Sequence, residues 1–444
     1  LFNWDENVLA SAANPPKKMH ISGHFWTPYA KLKNESIKNQ KKELPLYISN
    51  MRFFEDFENE CSLPFFIKNK AESLKYYIDA YMTCRSMLVL GSAGGGKTEL
   101  FHSILCQDWY WKAIIFSKKG DFEPIYFRGT TIDYVVNPKL KYGAVHDILS
   151  EKIEFVEVFT ESIVKAKLGD KNDFFSSSAK QELEKMIQTV FLEAERKNLN
   201  TKERWELLIE QFESNYHAAI NGDSKSKKDV YETVKIIFNA GLLLMAYRII
   251  EGAPTFTAKD FFSKKDSCRI FLNASDPSTE GVVAATYAVL TKYQLALPNK
   301  WCDRPVLHLQ DEYNSLKEMV PERILIEQRE VGRSKMFATL IGVQGLDANK
   351  EKSQELLVNM QYLAVFGGTD TATLNTISEL VGDVEYEYIN KNESNSAQGK
   401  STSYSTQKIK ERIVNNYHIN ILQKEGFSHL FVSLKEGILF KGYT

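Results

Sequence analysis

The chain has little cysteine, no long apolar run and almost no net charge, and each shortage excludes a class of protein. Its 444 residues include five cysteines, none in a C-x-x-C pair, which argues against a disulfide framework or a zinc site and fits a reducing compartment. We expect each cysteine to be a small buried apolar residue. No run approaches the roughly 18 apolar residues of a membrane span, so we predict that this chain does not itself cross a membrane. The formal net charge of -1 excludes a strongly basic DNA-coating protein but allows local basic patches.

The chain starts at Leu1 rather than at a methionine. We therefore expect a piece of a longer protein, in which a membrane anchor could precede this residue.

A complete phosphate-loop pattern, G-x-x-x-x-G-K-S/T, lies between the apolar run Met87–Leu90 and the helix-forming run Glu99–Leu105. A buried strand, a glycine loop and a helix in this order direct backbone N–H groups and the positive helix end at phosphate oxygens. We predict an ATP site in which Lys97 reaches the β- and γ-phosphates and Thr98 ligates Mg²⁺, and the flanking elements argue against a plain glycine-rich turn. The predicted nucleotide-binding residues are Gly91, Ser92, Ala93, Gly94, Gly95, Gly96, Lys97 and Thr98.

Short apolar or β-branched runs alternate with helical segments, which predicts an α/β fold with a mainly parallel central sheet. The predicted strands are 87–90, 112–117, 131–136, 269–273, 306–310, 336–343 and 362–366, with a terminal antiparallel hairpin at 428–434 and 437–442. The predicted divisions are an N-terminal extension at 1–80 ending in a helix at 71–78, a nucleotide-binding domain at 81–147 and 261–444, and an inserted all-α domain at 148–260.

Two polar segments are predicted to be loops: 221–228 within the insertion, and the serine-rich, mobile 392–403. The insertion also carries Trp205, Tyr216 and Tyr231, which could stack on bases, although we favour helix packing. Its lysines near Ser224 could contact phosphates, but a solvated loop is favoured.

The predicted strand 306–310 runs directly into Asp311 and Glu312. In a phosphate-loop enzyme, an aspartate at a strand tip holds Mg²⁺ through water, and an adjacent glutamate orients or deprotonates the attacking water. We therefore predict ATP hydrolysis, with Asp311 as a metal-site residue and Glu312 as the catalytic carboxylate. The alternative is a solvated acidic turn.

Three further residues are candidates for the transition state. Gln344 follows the strand 336–343 and could contact the γ-phosphate or the attacking water as a sensor. Arg333, in a helix-to-strand loop, could supply positive charge to a neighbouring subunit's nucleotide. Arg329 competes for that role, and either arginine could instead be an ordinary solvated or ion-paired residue.

The order of these motifs resembles the cytoplasmic ATPase region of type IV secretion coupling proteins, in the FtsK/HerA-like branch of the RecA-type motor ATPases. The matching segments are 91–98, 118–122, 133–138, the helical insertion, 309–312, 332–335 with Gln344, and 366–382 followed by a serine-rich loop. In one departure, Ser117-Lys118 stands where the family has an acidic residue before its Lys-Gly turn, which leaves the role of that turn open.

The resemblance implies a RecA-like fold, ATP and Mg²⁺ as cofactors, and a homo-hexamer with nucleotide between neighbouring subunits. It further implies membrane association through a segment outside this chain, at the cytoplasmic face of the bacterial inner membrane, and an inserted domain facing a relaxase-bound substrate. The implied partners are DNA, a relaxase or a secreted effector, and type IV secretion channel components.

The leading hypothesis is an ATP-driven motor that delivers DNA, a DNA–protein complex or effector proteins into a type IV secretion channel. One alternative is a secretion ATPase that energises the channel without carrying cargo, against which the Lys-Gly-Asp turn and Asn137-Pro138 argue. The other is a non-catalytic adaptor that recruits substrates, in which bound nucleotide only stabilises the fold.

Overall fold

The computed structural model describes most of the chain, in two compact units. The described residues are 17–23, 35, 37, 38, 40, 45–53, 72–79, 86–107, 110–169, 173–346, 350–396, 399–420, 422, 427–434 and 438–442. The first unit comprises 1–79, 87–107 and 344–444, and the second comprises 80–86 and 108–343.

The strands and helices of the described residues are numbered here in chain order. The strands are β1 (Lys17–Gly23), β2 (Pro45–Phe53), β3 (Glu72–Asp79), β4 (Met87–Leu90), β5 (Lys112–Ser117), β6 (Tyr134–Val136), β7 (Val145–His146), β8 (Thr255–Phe256), β9 (Cys268–Asn273), β10 (Val306–Gln310), β11 (Phe337–Val343), β12 (Tyr362–Phe366), β13 (Asp383–Ser396), β14 (Gly399–Arg412), β15 (His429–Ser433) and β16 (Ile438–Gly442). The helices are α1 (Lys97–Leu105), α2 (Glu123–Tyr126), α3 (Val156–Leu168), α4 (Phe174–Lys197), α5 (Thr201–Asn221), α6 (Lys225–Ile237), α7 (Leu243–Ile250), α8 (Ala258–Ser263), α9 (Glu280–Ala296), α10 (Tyr313–Met319), α11 (Glu322–Val331), α12 (Lys350–Val358), α13 (Thr371–Val381) and α14 (Asn416–Asn420).

In the first unit, four strands lie side by side in the order β16, β15, β12, β4. β4 and β12 are parallel, with Met87 opposite Tyr362, and both are buried along their whole length. β15 and β16 form the predicted terminal hairpin, with Phe431 opposite Phe440.

In the second unit, five parallel strands lie in the order β11, β10, β5, β9, β6. Their carboxyl ends therefore meet at one edge, which is where parallel α/β sheets place their ligands. This arrangement confirms the predicted α/β class with a mainly parallel sheet.

The predicted helix at 71–78 is wrong, because Glu72–Asp79 is strand β3, antiparallel to β2 with Ile78 opposite Leu46. Aromatic and branched residues such as Tyr76, Tyr77 and Ile78 fit a pleated surface once a partner strand is available. The residue pattern that suggested a helix at 71–78 carries no information about the partner strand β2.

The predicted mobile loop at 392–403 is also wrong, because most of it belongs to the long hairpin β13–β14, in which Asn392 lies opposite Ser403. β13 pairs with β1 on its other side, with Tyr388 opposite Lys18. Such a ladder is held by backbone hydrogen bonds, which a polar composition does not prevent.

Two smaller predictions also need correction. The loop predicted at 221–228 is shorter, because α6 already begins at Lys225 and the Ser224 side chain caps it; Lys227 and Lys228 are thus helical. Cys268 is buried as expected, whereas Cys106 is exposed and Cys302 half-buried. Cys61 and Cys84 lie outside the described residues.

Helices α3 to α7 pack together with α9 around one buried hydrophobic core. Trp205 is fully buried there, and Phe212 stacks on Phe238 with ring centroids 4.1 Å apart. Whether 148–260 forms a separate domain stays a prediction, because the contacts group these helices within the second unit.

One described helical stretch, Lys225–Ile250, is long and apolar enough to cross a membrane, by length and composition only. Core helices can be equally long and apolar, and 44% of the most apolar part of this stretch is buried within the protein. Val234, Phe238 and Leu242 of this stretch belong to the helical core.

Candidate functional site

The phosphate loop lies in the first unit, between β4 and α1. Gly96 directly precedes the helix, and its backbone has φ 101 and ψ 6. Residues other than glycine rarely adopt this conformation. The Lys97 side chain folds back over the loop, and its Nζ donates to the carbonyl oxygens of Gly91 at 2.5 Å and Ser92 at 3.0 Å. The loop thus holds a largely buried ammonium group at the N-terminus of a nine-residue helix.

The end of β12 packs against this loop, which sequence reasoning did not single out. A Cβ built on Gly91 would lie 2.8 Å from the Phe366 Cβ, closer than real Cβ atoms come. Only glycine at position 91 therefore allows this packing. The sequence signal for the contact is the run Phe366-Gly367-Gly368 itself, whose glycines also let the backbone approach closely.

Gln344 follows β11 and is exposed. It belongs to the first unit, as the phosphate loop does. Two residues on, the Leu346 N–H donates to the Thr373 hydroxyl at 2.9 Å, and Asp370 caps α13 by accepting from the Thr373 N–H. The segment after Gln344 is thereby attached to the first turn of α13.

The acid pair lies in the second unit, at the carboxyl end of β10. Asp311 is buried, and its N–H donates to the Phe116 carbonyl oxygen at 3.0 Å. Glu312 adopts a left-handed conformation with φ 66 at the start of α10, so the chain turns sharply between the two carboxylates. The Glu312 carboxylate lies 3.4 Å from the Lys119 ammonium.

Lys119 belongs to the Lys-Gly turn after β5, where this sequence departs from the family pattern. The Ser117 hydroxyl accepts from the N–H groups of Lys119 and Gly120, at 3.3 Å and 3.0 Å. Ser117 therefore closes the turn itself, with no acidic residue at that position. The carboxylate of Glu280 instead pairs with Lys118 at 3.0 Å.

The two candidate arginines differ in exposure. Arg329 is 7% exposed, and its Nη1 donates to the Tyr313 hydroxyl at 2.6 Å. Arg333 is exposed, and its side chain has no hydrogen bond or ion pair within the described residues. Because a residue that acts on another subunit must be accessible, this difference favours Arg333.

The residues present fit a magnesium nucleotide. Among the described residues, no cluster of three or more histidine, cysteine, aspartate or glutamate side chains could hold a metal by itself. Mg²⁺ does not need one, since it keeps several waters and is bound by one or two protein oxygens plus phosphates. Thr98 lies in the first unit and Asp311 in the second, so their meeting around one ion stays a prediction.

The aromatic residues of the insertion serve helix packing. Trp205 is buried and its Nε1 donates to Asp147 at 2.8 Å, and the Tyr231 hydroxyl donates to Glu182 at 2.8 Å. Tyr216 donates to Glu232, and Lys235 lies over its ring at 4.6 Å. These contacts favour the packing interpretation over base stacking.

The family model of the type IV secretion-system coupling protein DNA-binding domain matches residues 78–435. A search of the curated proteins found no match.

Solved structures of the conjugative coupling protein TrwB are similar to this chain. Its unbound TrwBdeltaN70 form superposes with a TM-score of 0.66 at 16% identity, covering 97% of this chain and 95% of that one. The complex of TrwB with the non-hydrolysable GTP analogue GDPNP gives 0.63 at 16% identity, with the same coverage of 97% and 95%. The complex with ADP and Mg²⁺ gives 0.60 at 16% identity, covering 92% and 90%.

At this identity the structural likeness shows the fold, and it confirms the predicted RecA-like architecture. The family model adds sequence evidence over most of the chain. The chain therefore belongs to the family of type IV secretion-system coupling proteins.

Proposed function

We propose that this chain is an ATP-hydrolysing motor that recruits DNA, or a DNA–protein complex, and moves it into a type IV secretion channel. The observation that carries the proposal is the Lys97 ammonium, held on the carbonyl oxygens of the glycine loop at the start of α1. The matching family model, that of a DNA-binding domain, supports DNA as cargo.

Each part of the site has a role in hydrolysis. Lys97 and the loop N–H groups bind the β- and γ-phosphates, and Thr98 together with Asp311 would hold Mg²⁺. When bound, the ion neutralises phosphate charge that grows as the bond to the leaving group breaks. Glu312 orients the attacking water and accepts its proton, and Gln344 contacts the γ-phosphate or that water.

Arg333 completes the site of a neighbouring subunit in this proposal. Its exposure and its lack of a described partner leave the guanidinium available to a second molecule. A guanidinium that reaches the γ-phosphate across an interface stabilises the transition state and makes hydrolysis depend on assembly. The active form is accordingly a homo-hexamer at the cytoplasmic face of the inner membrane, attached through a segment outside this chain and in contact with channel components.

Single-turnover ATP cleavage tests the enzyme. Lys97→Ala should abolish binding and cleavage, and Glu312→Gln should retain binding but lose cleavage by roughly a hundredfold or more. Glu318→Gln is the matched control, because Glu318 is an exposed carboxylate on the adjacent helix α10. Unchanged cleavage in both site variants would overturn the motor, whereas a wild-type chain that binds ATP without cleaving it would be a nucleotide-stabilised adaptor.

The cargo is tested by the ATPase rate as a function of protein concentration, with and without single-stranded and double-stranded DNA. A rate per subunit that rises with concentration and with DNA supports a site shared between subunits of a DNA motor. A rate that DNA leaves unchanged would favour the channel-energising ATPase or a protein cargo.

A further inference from the structure

A buried polar network lies beneath the acid pair in the second unit. Its members come from three elements: Tyr287 and Gln294 from α9, His308 and Gln310 from β10, and Gln328 from α11. Each of the five is at most 1% exposed. Even when they are hydrogen-bonded, buried polar side chains stabilise a fold little more than well-packed apolar ones would, and Gln310 Oε1 has no hydrogen-bond partner within the described residues. The network therefore calls for a role other than packing.

Tyr287 is the centre of the network. Its hydroxyl lies 3.0 Å from Gln328 Oε1, 2.5 Å from Gln310 Nε2 and 3.2 Å from His308 Nδ1. The amide of Gln310 donates to it, and the single hydrogen of the hydroxyl is shared between two acceptors, Gln328 Oε1 and His308 Nδ1. Gln310 directly precedes Asp311, and Gln328 directly precedes Arg329. One hydroxyl thus joins the strand that carries the acid pair to the helix that leads to Arg333.

A second branch passes through His308 and Gln294. Burial lowers the pKa of His308 to about 3, so the imidazole is neutral at physiological pH and carries one hydrogen. Because Gln294 Oε1 can only accept, the hydrogen resides on His308 Nε2, which donates across 2.9 Å. The other end of the same amide, Gln294 Nε2, donates to the Lys335 carbonyl oxygen at 3.0 Å.

The Lys335 carbonyl belongs to the loop that carries Arg333. The same loop is held by the Lys300 N–H, which donates to the Ser334 carbonyl oxygen at 2.8 Å, and by the Lys335 ammonium on the Leu297 carbonyl oxygen. Gln294 is the member of this set that also bonds to β10 through His308. The main chain around Arg333 is thus fixed while its side chain stays exposed.

Backbone strain lies at the same places. Five described residues other than glycine have a positive φ, and three of them are Glu312, Met336 and Lys300. Glu312 is the catalytic candidate, and the other two flank the Arg333 loop. Strained conformations persist where the surrounding structure over-determines them, typically at functional sites.

We propose that Tyr287 and Gln294 are positioning residues that hold the Arg333 loop in a fixed geometry relative to the Asp311–Glu312 pair. The inference rests on the proposed function, in which the acid pair serves the subunit's own nucleotide and Arg333 serves the neighbour's. The network then ties together two adjacent nucleotide sites within one subunit. Neither side chain touches the nucleotide, so both act through placement.

The test is a set of kcat and KM measurements on the full chain with ATP at saturating protein concentration. Gln294→Met keeps the side-chain length and removes both hydrogen bonds, and Tyr287→Phe removes only the hydroxyl. Each should lower kcat by roughly tenfold, the kinetic equivalent of about one hydrogen bond, with KM within about twofold. Tyr293→Phe is the matched control, because it is the same change on the same helix and its hydroxyl has no hydrogen bond within the described residues.

A second measurement separates positioning from simple destabilisation. In an Arg333→Ala background, measured by single turnover, Gln294→Met should cost less than about twofold, because the group that it positions is already gone. An equal loss in both backgrounds would overturn the proposal, as would wild-type kcat in Gln294→Met and Tyr287→Phe or an equal loss in Tyr293→Phe. Failure of the proposed function looks different, since the wild-type chain would then not cleave ATP at all.

Discussion

Mixing two inactive variants is the sharpest test of a site shared between subunits. Arg333→Ala keeps the acid pair but offers the neighbour no guanidinium, whereas Glu312→Gln keeps the arginine but cannot activate water. If Arg333 acts on the next subunit of a ring, a site works again wherever an Arg333→Ala subunit receives its arginine from a Glu312→Gln neighbour.

The expected effects on stability and on rate follow from the surroundings of Arg333. Arg333 is exposed without a described partner, so its replacement should change the free energy of unfolding by less than about 0.5 kcal/mol. The loss of a guanidinium from a phosphoryl-transfer site costs roughly a thousandfold in kcat. In an equimolar mixture assembled at random, about one site in four has both groups, so the mixture should recover about a quarter of the wild-type rate.

The assay is steady-state ATP hydrolysis after the variants are combined at low concentration and then concentrated, so that rings form from mixed subunits. Arg329→Ala mixed with Glu312→Gln tests the competing arginine. Recovery with Arg329→Ala and none with Arg333→Ala would transfer the role to Arg329. Full activity of Arg333→Ala alone, or no recovery in either mixture while all variants remain folded and bind nucleotide, would refute the shared site.

Three further predictions follow from burial and backbone geometry. Gly96 has φ 101, and a Cβ there would lie 3.1 Å from the Phe366 ring, so alanine at this position costs about 1–2 kcal/mol of strain. Gly96→Ala should therefore weaken nucleotide binding at least about tenfold, as measured by fluorescence titration. The control Gly129→Ala, at φ 112 with no neighbouring atoms near the added Cβ, should leave nucleotide binding unchanged. Burial lowers the pKa of His308 to about 3, and the same residue in the unfolded chain binds a proton below about pH 6.5. His308 alone should therefore lower the unfolding free energy by about 1.4 kcal/mol per pH unit as the pH falls from 6.5 to 3, and His429, whose pKa burial also lowers to about 3, should add a similar loss. Urea unfolding at pH 7 and pH 5 should show this loss shrinking in His308→Gln but not in a variant of the exposed His217. Trp205→Phe removes the hydrogen bond to Asp147 and should lower the unfolding free energy by about 1–3 kcal/mol, while the affinity for DNA stays unchanged. Loss of DNA binding by the folded variant would instead support the hypothesis that Trp205 stacks on bases.

Features encoded within short stretches were predictable from the sequence. β10 and β12 occupy the residues predicted for them, because continuous apolar runs bounded by polar residues identify buried parallel strands. The glycine loop and the acid pair were found in the same way, since the spacing that the chemistry needs is local. The resemblance to coupling proteins rested on the order of these motifs and is confirmed by the family model.

Features that depend on partners distant in sequence were not predictable. β3 has a helical appearance until β2 pairs with it, and the serine-rich segment carries no apolar signal for the hairpin β13–β14. Likewise Gln294, His308 and Lys335 are far apart in the chain. The Gln294 amide hydrogen-bonds to both His308 and the Lys335 carbonyl oxygen, and this connection exists only in the folded protein.

The sequence by itself determined the phosphate loop, the carboxylates, most strands of the parallel sheet and the family, because each depends on residues that are neighbours in the chain. The tertiary structure alone decided that Arg329 is buried while Arg333 is exposed, and that buried amides connect β10 to the Arg333 loop. The physical reason is that burial and hydrogen bonding across elements are set by which surfaces pack together, and neither composition nor periodicity specifies that choice.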